Sequence, residues 1–191
     1  MKLTGSYQIN LNKQKVWEAL NDPEILKKAI PGCEEFNKKS ETEFSAKATN
    51  KIGPFNASFS GEIELKELQA PNSYKIVGSG NSLVGFASGE ADVKLEEHEN
   101  GTKLIYSVEA QVGGKIAQVG SRLIDMTAKK MADIFFGNFS NLILSDEKFE
   151  IEETLEDKVE STNLKTDNKK NKYYYFFGAV IIGIALIYLI F

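Results

Sequence analysis

A chain of 191 residues with 42% hydrophobic content supports one globular core with appendages rather than two cores. Its net charge of -4 excludes the broad basic surface that nucleic-acid binding requires. A single cysteine, Cys33, excludes an intramolecular disulfide, and the lone His98 leaves no zinc or iron–sulfur ligand set.

The opening Met1-Lys2-Leu3-Thr4-Gly5-Ser6 lacks the apolar run of a secretion signal, which predicts a domain that stays in the reducing cytoplasm. Leu3, Gly5, Tyr7 and Ile9 alternate with Lys2, Thr4, Ser6 and Gln8, the pattern of a half-buried strand. Asn12 caps a predicted helix over 13–20. Asp22, with Pro23 at the first helical position, starts a second over 23–30, and Pro31-Gly32 stops it. A strand starts at Cys33. Period-two alternation then recurs in Phe44-Ala46-Ala48, in Phe55-Ala57-Phe59-Gly61-Ile63-Leu65, in Tyr74-Ile76-Gly78, in Ala91-Val93-Leu95 and in Leu104-Tyr106-Val108-Ala110-Val112. The residues between are mostly charged, Ser or Thr, so an antiparallel meander has one wet face and one covered face.

The predicted cover is a long helix over 115–144. Its apolar stripe is Ile116, Val119, Gly120, Leu123, Thr127, Ala128, Met131, Ile134, Phe135 and Leu142, opposite Gln118, Arg122, Asp125, Lys129 and Asp133. The class is α+β, a curved antiparallel sheet around a long C-terminal helix. Residues 145–172 read as a polar, solvated linker, part of it open to a frayed extension of the preceding helix, with eight acids from Asp146 to Glu160 followed by a lysine-rich stretch.

Residues 173–191 hold neither charge nor proline. At ~1.5 Å per residue they would make a helix about 28 Å long, close to the ~30 Å hydrocarbon core of a bilayer. Tyr173, Phe177, Ile182, Leu186 and Phe191 are spread along this predicted transmembrane helix. Lys165, Lys169, Lys170 and Lys172 precede it, and three tyrosines begin it where an aromatic belt belongs. The expectation is a tail anchor: a single pass through the cell membrane, with the N-terminal domain cytoplasmic. Gly178 and Gly183 lack GxxxG spacing, so nothing points to pairing through this helix.

The covered faces are rich in small residues: Gly5, Ala46, Ala48, Ala57, Gly61, Gly78, Gly80, Ala91 and Ala110 on strands, facing Gly120, Thr127 and Ala128. Either the elements pack very closely or the space holds an apolar ligand. The candidate lining of such a cavity is Ala46, Ala48, Phe59, Gly61, Ile63, Ile76, Val93, Tyr106, Val108, Gly120, Leu123, Thr127 and Met131. A meander sends alternate turns to opposite ends. Polar turns around Ser40, Asn72 and His98 fall at one end. Ile52-Gly53-Pro54-Phe55, Leu83-Val84-Gly85-Phe86 and Val112-Gly113-Gly114 fall at the other. This apolar end is read as the cavity mouth, with Phe55, Leu83 and Phe86 at its rim, or as hairpin tips tucked onto the domain.

Catalytic constellations are missing. Gly113-Gly114-Lys115 lacks the spacing of a phosphate loop. His98 lies in a polar turn with no nucleophile or acid arranged around it, Cys33 reads as a structural thiol and Trp17 as a core anchor. The chain is expected not to be an enzyme.

Val16-Trp17-Glu18-Ala19-Leu20-Asn21-Asp22-Pro23-Glu24 and Ile30-Pro31-Gly32-Cys33 resemble the opening of the CoxG family, the G subunit of carbon monoxide dehydrogenase, within the START-like, or SRPBCC, superfamily. Gly53-Pro54-Phe55, Ala57-Ser58-Phe59-Ser60-Gly61, Gly85-Phe86-Ala87 and the run from Ala110 to Ile124 continue the likeness, which covers nearly all of residues 1–140. The resemblance implies a helix-grip fold with a ligand cavity between helix and sheet. It also implies a non-catalytic partner of a molybdenum hydroxylase of the CO dehydrogenase type, attaching that enzyme to the membrane and binding a quinone of the menaquinone type. A pure anchor or assembly factor without a ligand, or a stand-alone lipid-binding or transfer protein, are the alternatives.

Overall fold

The computed structural model of the chain describes residues 1–160, with side chains through Ser145. The apolar stretch 173–191, with Tyr173, Phe177, Ile182, Leu186 and Phe191, lies outside the described residues. Among the described residues no helix is long and apolar enough to cross a membrane.

β1 (Lys2–Ile9) opens the chain, its exposed and half-buried residues alternating. α1 (Lys13–Ala19) and α2 (Pro23–Ala29) follow, each started by the expected cap. Asn12 Oδ1 accepts from the Lys15 amide at 2.9 Å, and Asp22 Oδ1 accepts from the Glu24 amide at 2.8 Å and the Ile25 amide at 3.3 Å, satisfying donors that a helix start leaves open. Six strands come next: β2 (Cys33–Lys38), β3 (Glu43–Ile52), β4 (Phe55–Gln69), β5 (Ser73–Ser82), β6 (Gly85–His98) and β7 (Gly101–Gly114). They join β1 in one seven-stranded sheet of order β1-β7-β6-β5-β4-β3-β2, every pair antiparallel. The first strand therefore pairs with the last, and the meander wraps around its cover in the expected α+β, helix-grip manner.

The cover departs from expectation at both ends. Lys115–Val119 forms a 3-10 turn, and Gly120, at φ 89° and ψ 146°, breaks the chain before α3 (Ser121–Glu160) begins. The break takes Ile116 and Val119 out of the helix, so a stripe drawn through them does not carry into α3. The fully buried stripe is Ala128, Ala132, Phe135, Phe136, Phe139 and Ile143, whereas Ile134 and Leu123, placed on the stripe by uninterrupted periodicity, are exposed. At the other end α3 runs to Glu160, so residues 146–160 take the helical extension rather than an extended linker. They contain neither Gly nor Pro, and six of the fifteen are Glu, which favours a helix. Only residues 161–172 then separate α3 from the apolar stretch.

α1 covers the end of the sheet that carries the polar turns. Trp17 is buried and meets Tyr74 edge-on at 5.4 Å, and the buried Thr102 hydroxyl donates to the Leu11 carbonyl at 2.7 Å. α3 is clamped in its middle. The Phe136 ring stacks on Tyr7 at 4.0 Å and lies 5.7 Å from Tyr106, the Tyr7 hydroxyl donates to Asp133, and Asn138 Nδ2 donates to the Ala29 carbonyl at 3.1 Å. Burial, aided by that carboxylate, holds the Tyr7 hydroxyl above the ordinary tyrosine pKa.

Candidate functional site

The sheet register lines up small residues on the inner face. Ala46 pairs Gly61, Gly61 pairs Gly80 and Gly80 pairs Ala87, while in the next row Ile63 pairs Gly78, Gly78 pairs Gly89 and Gly89 pairs Ala110. Two adjacent rows thus leave the inner surface low across the middle strands. The sequence-predicted lining residues Ala46, Ala48, Phe59, Gly61, Ile63, Ile76, Val93, Tyr106 and Val108 are all buried on this face. Their burial joins them to one continuous apolar core with the α3 phenylalanines.

The helix side of the expected lining does not follow. Thr127 and Met131 are half-buried, Leu123 is 37% exposed and Met126 is 62% exposed. Gly120 leaves the face altogether: it is exposed, and a Cβ built on it meets nothing within 4 Å. The first turns of α3 are therefore held loosely while the turns from Ala132 to Ile143 are sealed. Thr127 Oγ donates to the Leu123 carbonyl at 2.8 Å and so presents no free hydroxyl proton to the face. Sequence periodicity misses Ala132, Phe136 and Phe139. The available signal is the Phe135-Phe136-x-x-Phe139 spacing in register with Ala128 and Ala132.

The rim residues do converge. Ile52 pairs Phe55, Ser82 pairs Gly85 and Gly85 pairs Gly114, which puts two hairpin turns and the 3-10 turn at one end of the molecule. The Ile116 amide donates to the Val84 carbonyl at 3.0 Å, tying the β5–β6 turn to the 3-10 turn. A Cβ on Gly114 would lie 2.6 Å from Gly85 Cα, and its φ of 83° favours glycine, so the two strand ends close only because both residues lack side chains. Phe55 is half-buried, Leu83 is fully exposed, and Phe86 is 51% exposed with its ring over Gly113. Leu123 reaches across to the β3–β4 turn, where its Cδ2 would stand 3.1 Å from a Cβ on Gly53, beside Val119.

Depressions are also present on the outer face of the sheet. One, about 830 Å³, is crossed by Glu62, Glu64, Glu90 and Glu109, and two smaller ones of about 440 and 280 Å³ lie on the same face. Three of these carboxylates have local partners: Lys39 with Glu62 at 2.5 Å, Lys66 with Glu64 at 3.0 Å and Lys2 with Glu109 at 2.5 Å. Among the described residues no three His, Cys, Asp or Glu side chains are grouped to hold a metal ion. This is a solvated sheet face. Cys33 is half-buried, its Sγ 3.4 Å from the Glu35 carbonyl, and burial pushes its thiol up to about 11, as a structural thiol requires.

Known proteins share this fold. Residues 5–144 match the family model for CoxG, described as the G subunit of carbon monoxide dehydrogenase. No match is found among curated proteins. Among solved structures the chain is similar to a conserved protein from Geobacillus kaustophilus, 29% identical with a TM-score of 0.73, over 76% of this chain and 96% of that one. A protein from Thermus thermophilus is 10% identical with a TM-score of 0.60, over 76% and 99% of the two chains. One from Mycobacterium smegmatis is 16% identical with a TM-score of 0.57, over 76% and 92%. At those identities the last two share the fold alone.

Proposed function

Since the chain belongs to the CoxG family, the G subunit of carbon monoxide dehydrogenase, we propose that it is a non-catalytic accessory protein of a molybdenum-containing enzyme of the CO dehydrogenase type. In this reading residues 173–191 anchor it in the cell membrane with the domain on the cytoplasmic side. The domain recruits the enzyme and takes an apolar ligand, a quinone of the menaquinone type, between α3 and the sheet.

The observation that carries the ligand reading is the contrast along α3. The helix is sealed by Phe135, Phe136 and Phe139, yet its first turns leave Leu123 and Met126 partly in water, and the sheet carries two rows of mostly small residues on its inner face. A ligand taken between α3 and the sheet would enter at the apolar end, where α3 is least covered, and would settle against the small residues. The residues fit a quinone chemically, since the inner face is uncharged and its low middle suits an isoprenoid chain. When bound, the quinone supplies electron-accepting chemistry. The chain's own residues hold it, orient it and exclude water. Admission requires Leu123 and Val119 to separate from the Gly53 turn.

One observation favours the second reading, a pure anchor or assembly factor. The small inner-face residues Ala46, Ala48 and Ala57 are already buried, so they are covered without a ligand.

Membrane fractionation tests the accessory role. With the full chain present, the partner enzyme's activity should sediment with membranes. A chain cut after Lys165 should leave both in the supernatant. Sedimentation of the enzyme regardless of this chain would refute recruitment.

A further inference from the structure

The apolar end of the domain differs from the rest of the molecule in charge as well as in exposure. The stretches that build it, 50–57, 80–88 and 112–127, carry Lys51, Lys115 and Arg122 against one carboxylate, Asp125, although the whole chain is acidic. All three cations are exposed, and among the described residues none is ion-paired. At the opposite end the charges are mixed and largely paired: Glu41, Glu67 and Glu97 meet Lys38, Lys75 and Lys13. Leu83 projects fully into solvent at the tip of the β5–β6 turn, with Phe86 and Met126 more than half exposed. A protruding apolar side chain ringed by cations matches an anionic bilayer surface, whose acyl region takes the apolar groups and whose headgroups take the charge.

We propose that this end of the domain docks onto the anionic face of the membrane, with Leu83 and Phe86 inserted at the headgroup level and Lys51, Lys115 and Arg122 against the lipid phosphates. The inference rests on the membrane reading above and adds the orientation in which the domain sits.

The length of α3 limits that orientation. Its 40 residues span about 60 Å, whereas residues 161–172, even fully extended, reach only about 42 Å. If α3 stood upright on a docked tip, Glu160 would be too far from the bilayer for residue 173 to enter it. Docking with the tail inserted requires α3 to lean to within about 45° of the membrane plane, the angle at which about 60 Å of helix rises about 42 Å.

The test uses the full chain in anionic vesicles containing lipids brominated along the acyl chain, which quench nearby tryptophan. Leu83→Trp places a probe at the tip, and Leu68→Trp places one at an exposed site on the far end of the sheet; the native Trp17 is buried and gives the baseline. Flotation of the same samples reports anchoring separately. The expected result is strong quenching of Leu83→Trp alone, reduced by half or more in a Lys115→Glu, Arg122→Glu background or in neutral vesicles. Quenching of Leu83→Trp no greater than that of Leu68→Trp overturns the docking, even if the chain floats, and then leaves the tip to a protein partner. Selective quenching without flotation supports the docking and removes the tail from the anchoring reading. Quenching indifferent to lipid charge overturns the role of the cations, and the proposal with it.

Discussion

Replacing Phe139 by Ala should destabilise the domain far more than replacing Met126 by Ala, though both residues lie on α3. Phe139 is 0% exposed and its ring stands 5.9 Å from Phe135 in the seam between α3 and the sheet. Truncating a fully buried Phe loses its transfer energy and leaves a void, about 3–5 kcal/mol in all. Met126 is 62% exposed, so less than half of its side chain leaves water on folding. Of the ~1.5–3 kcal/mol for a fully buried side chain of this size, about 1 kcal/mol or less is at stake there. For a domain of this size 1 kcal/mol shifts the melting temperature by roughly 3–4 °C, so Phe139→Ala should lower it by about 10 °C or more and Met126→Ala by less than about 4 °C. Thermal unfolding followed by near-ultraviolet circular dichroism, where the buried Trp17 reports tertiary packing, measures both. Equal losses would mean that the first turns of α3 are as firmly packed as the middle, and the open-mouth geometry would be wrong.

Cys33 should react slowly. Burial raises its thiol from an ordinary 9.0 to about 11, so near pH 8 the folded protein carries about 100-fold less thiolate than the unfolded chain. A disulfide reagent should therefore label it about 100-fold faster in denaturant, and equal rates would contradict the burial. The sign for stability follows: the folded pKa lies above the unfolded one, so this thiol favours folding below about pH 9, and that contribution fades as pH rises through about 11. Gly114→Ala should cost about 2 kcal/mol or more, because its φ of 83° is unfavourable for Ala and the new Cβ would press on Gly85 Cα at 2.6 Å. Urea unfolding that leaves the midpoint unchanged would show that the strand ends close differently.

The sheet is legible in the sequence because each strand solves one local problem, an apolar face of period two, and the capping residues Asn12 and Asp22 act within three positions of themselves. Long-range consequences follow by topology: once the turns alternate, Phe55, Leu83 and Phe86 must share an end. The helix is harder. A glycine within an apolar stripe reads as a small packing residue, but Gly120 is a break at positive φ, and α3 begins only after it. With Ile116 and Val119 outside the helix, the residues of α3 alone set its buried stripe, which centres on Ala132, Phe136 and Phe139 and leaves Leu123 toward water. The acidic run after Leu144 reads as a linker because its polarity argues against a core. Its residues are good helix formers, and a helix already nucleated can extend through them without a core of its own.

Whether the domain works as a ligand carrier is decided by the molecule it brings out of the membrane. Chain purified from membranes, extracted with organic solvent and analysed by mass spectrometry, should yield an apolar isoprenoid quinone in near-stoichiometric amount. Ala128→Phe, which fills the junction between α3 and the small-residue rows while Phe139 and its neighbours hold the fold, should yield little. Extracts of both proteins that match a detergent blank would contradict the ligand reading and leave a closed, ligand-free anchor.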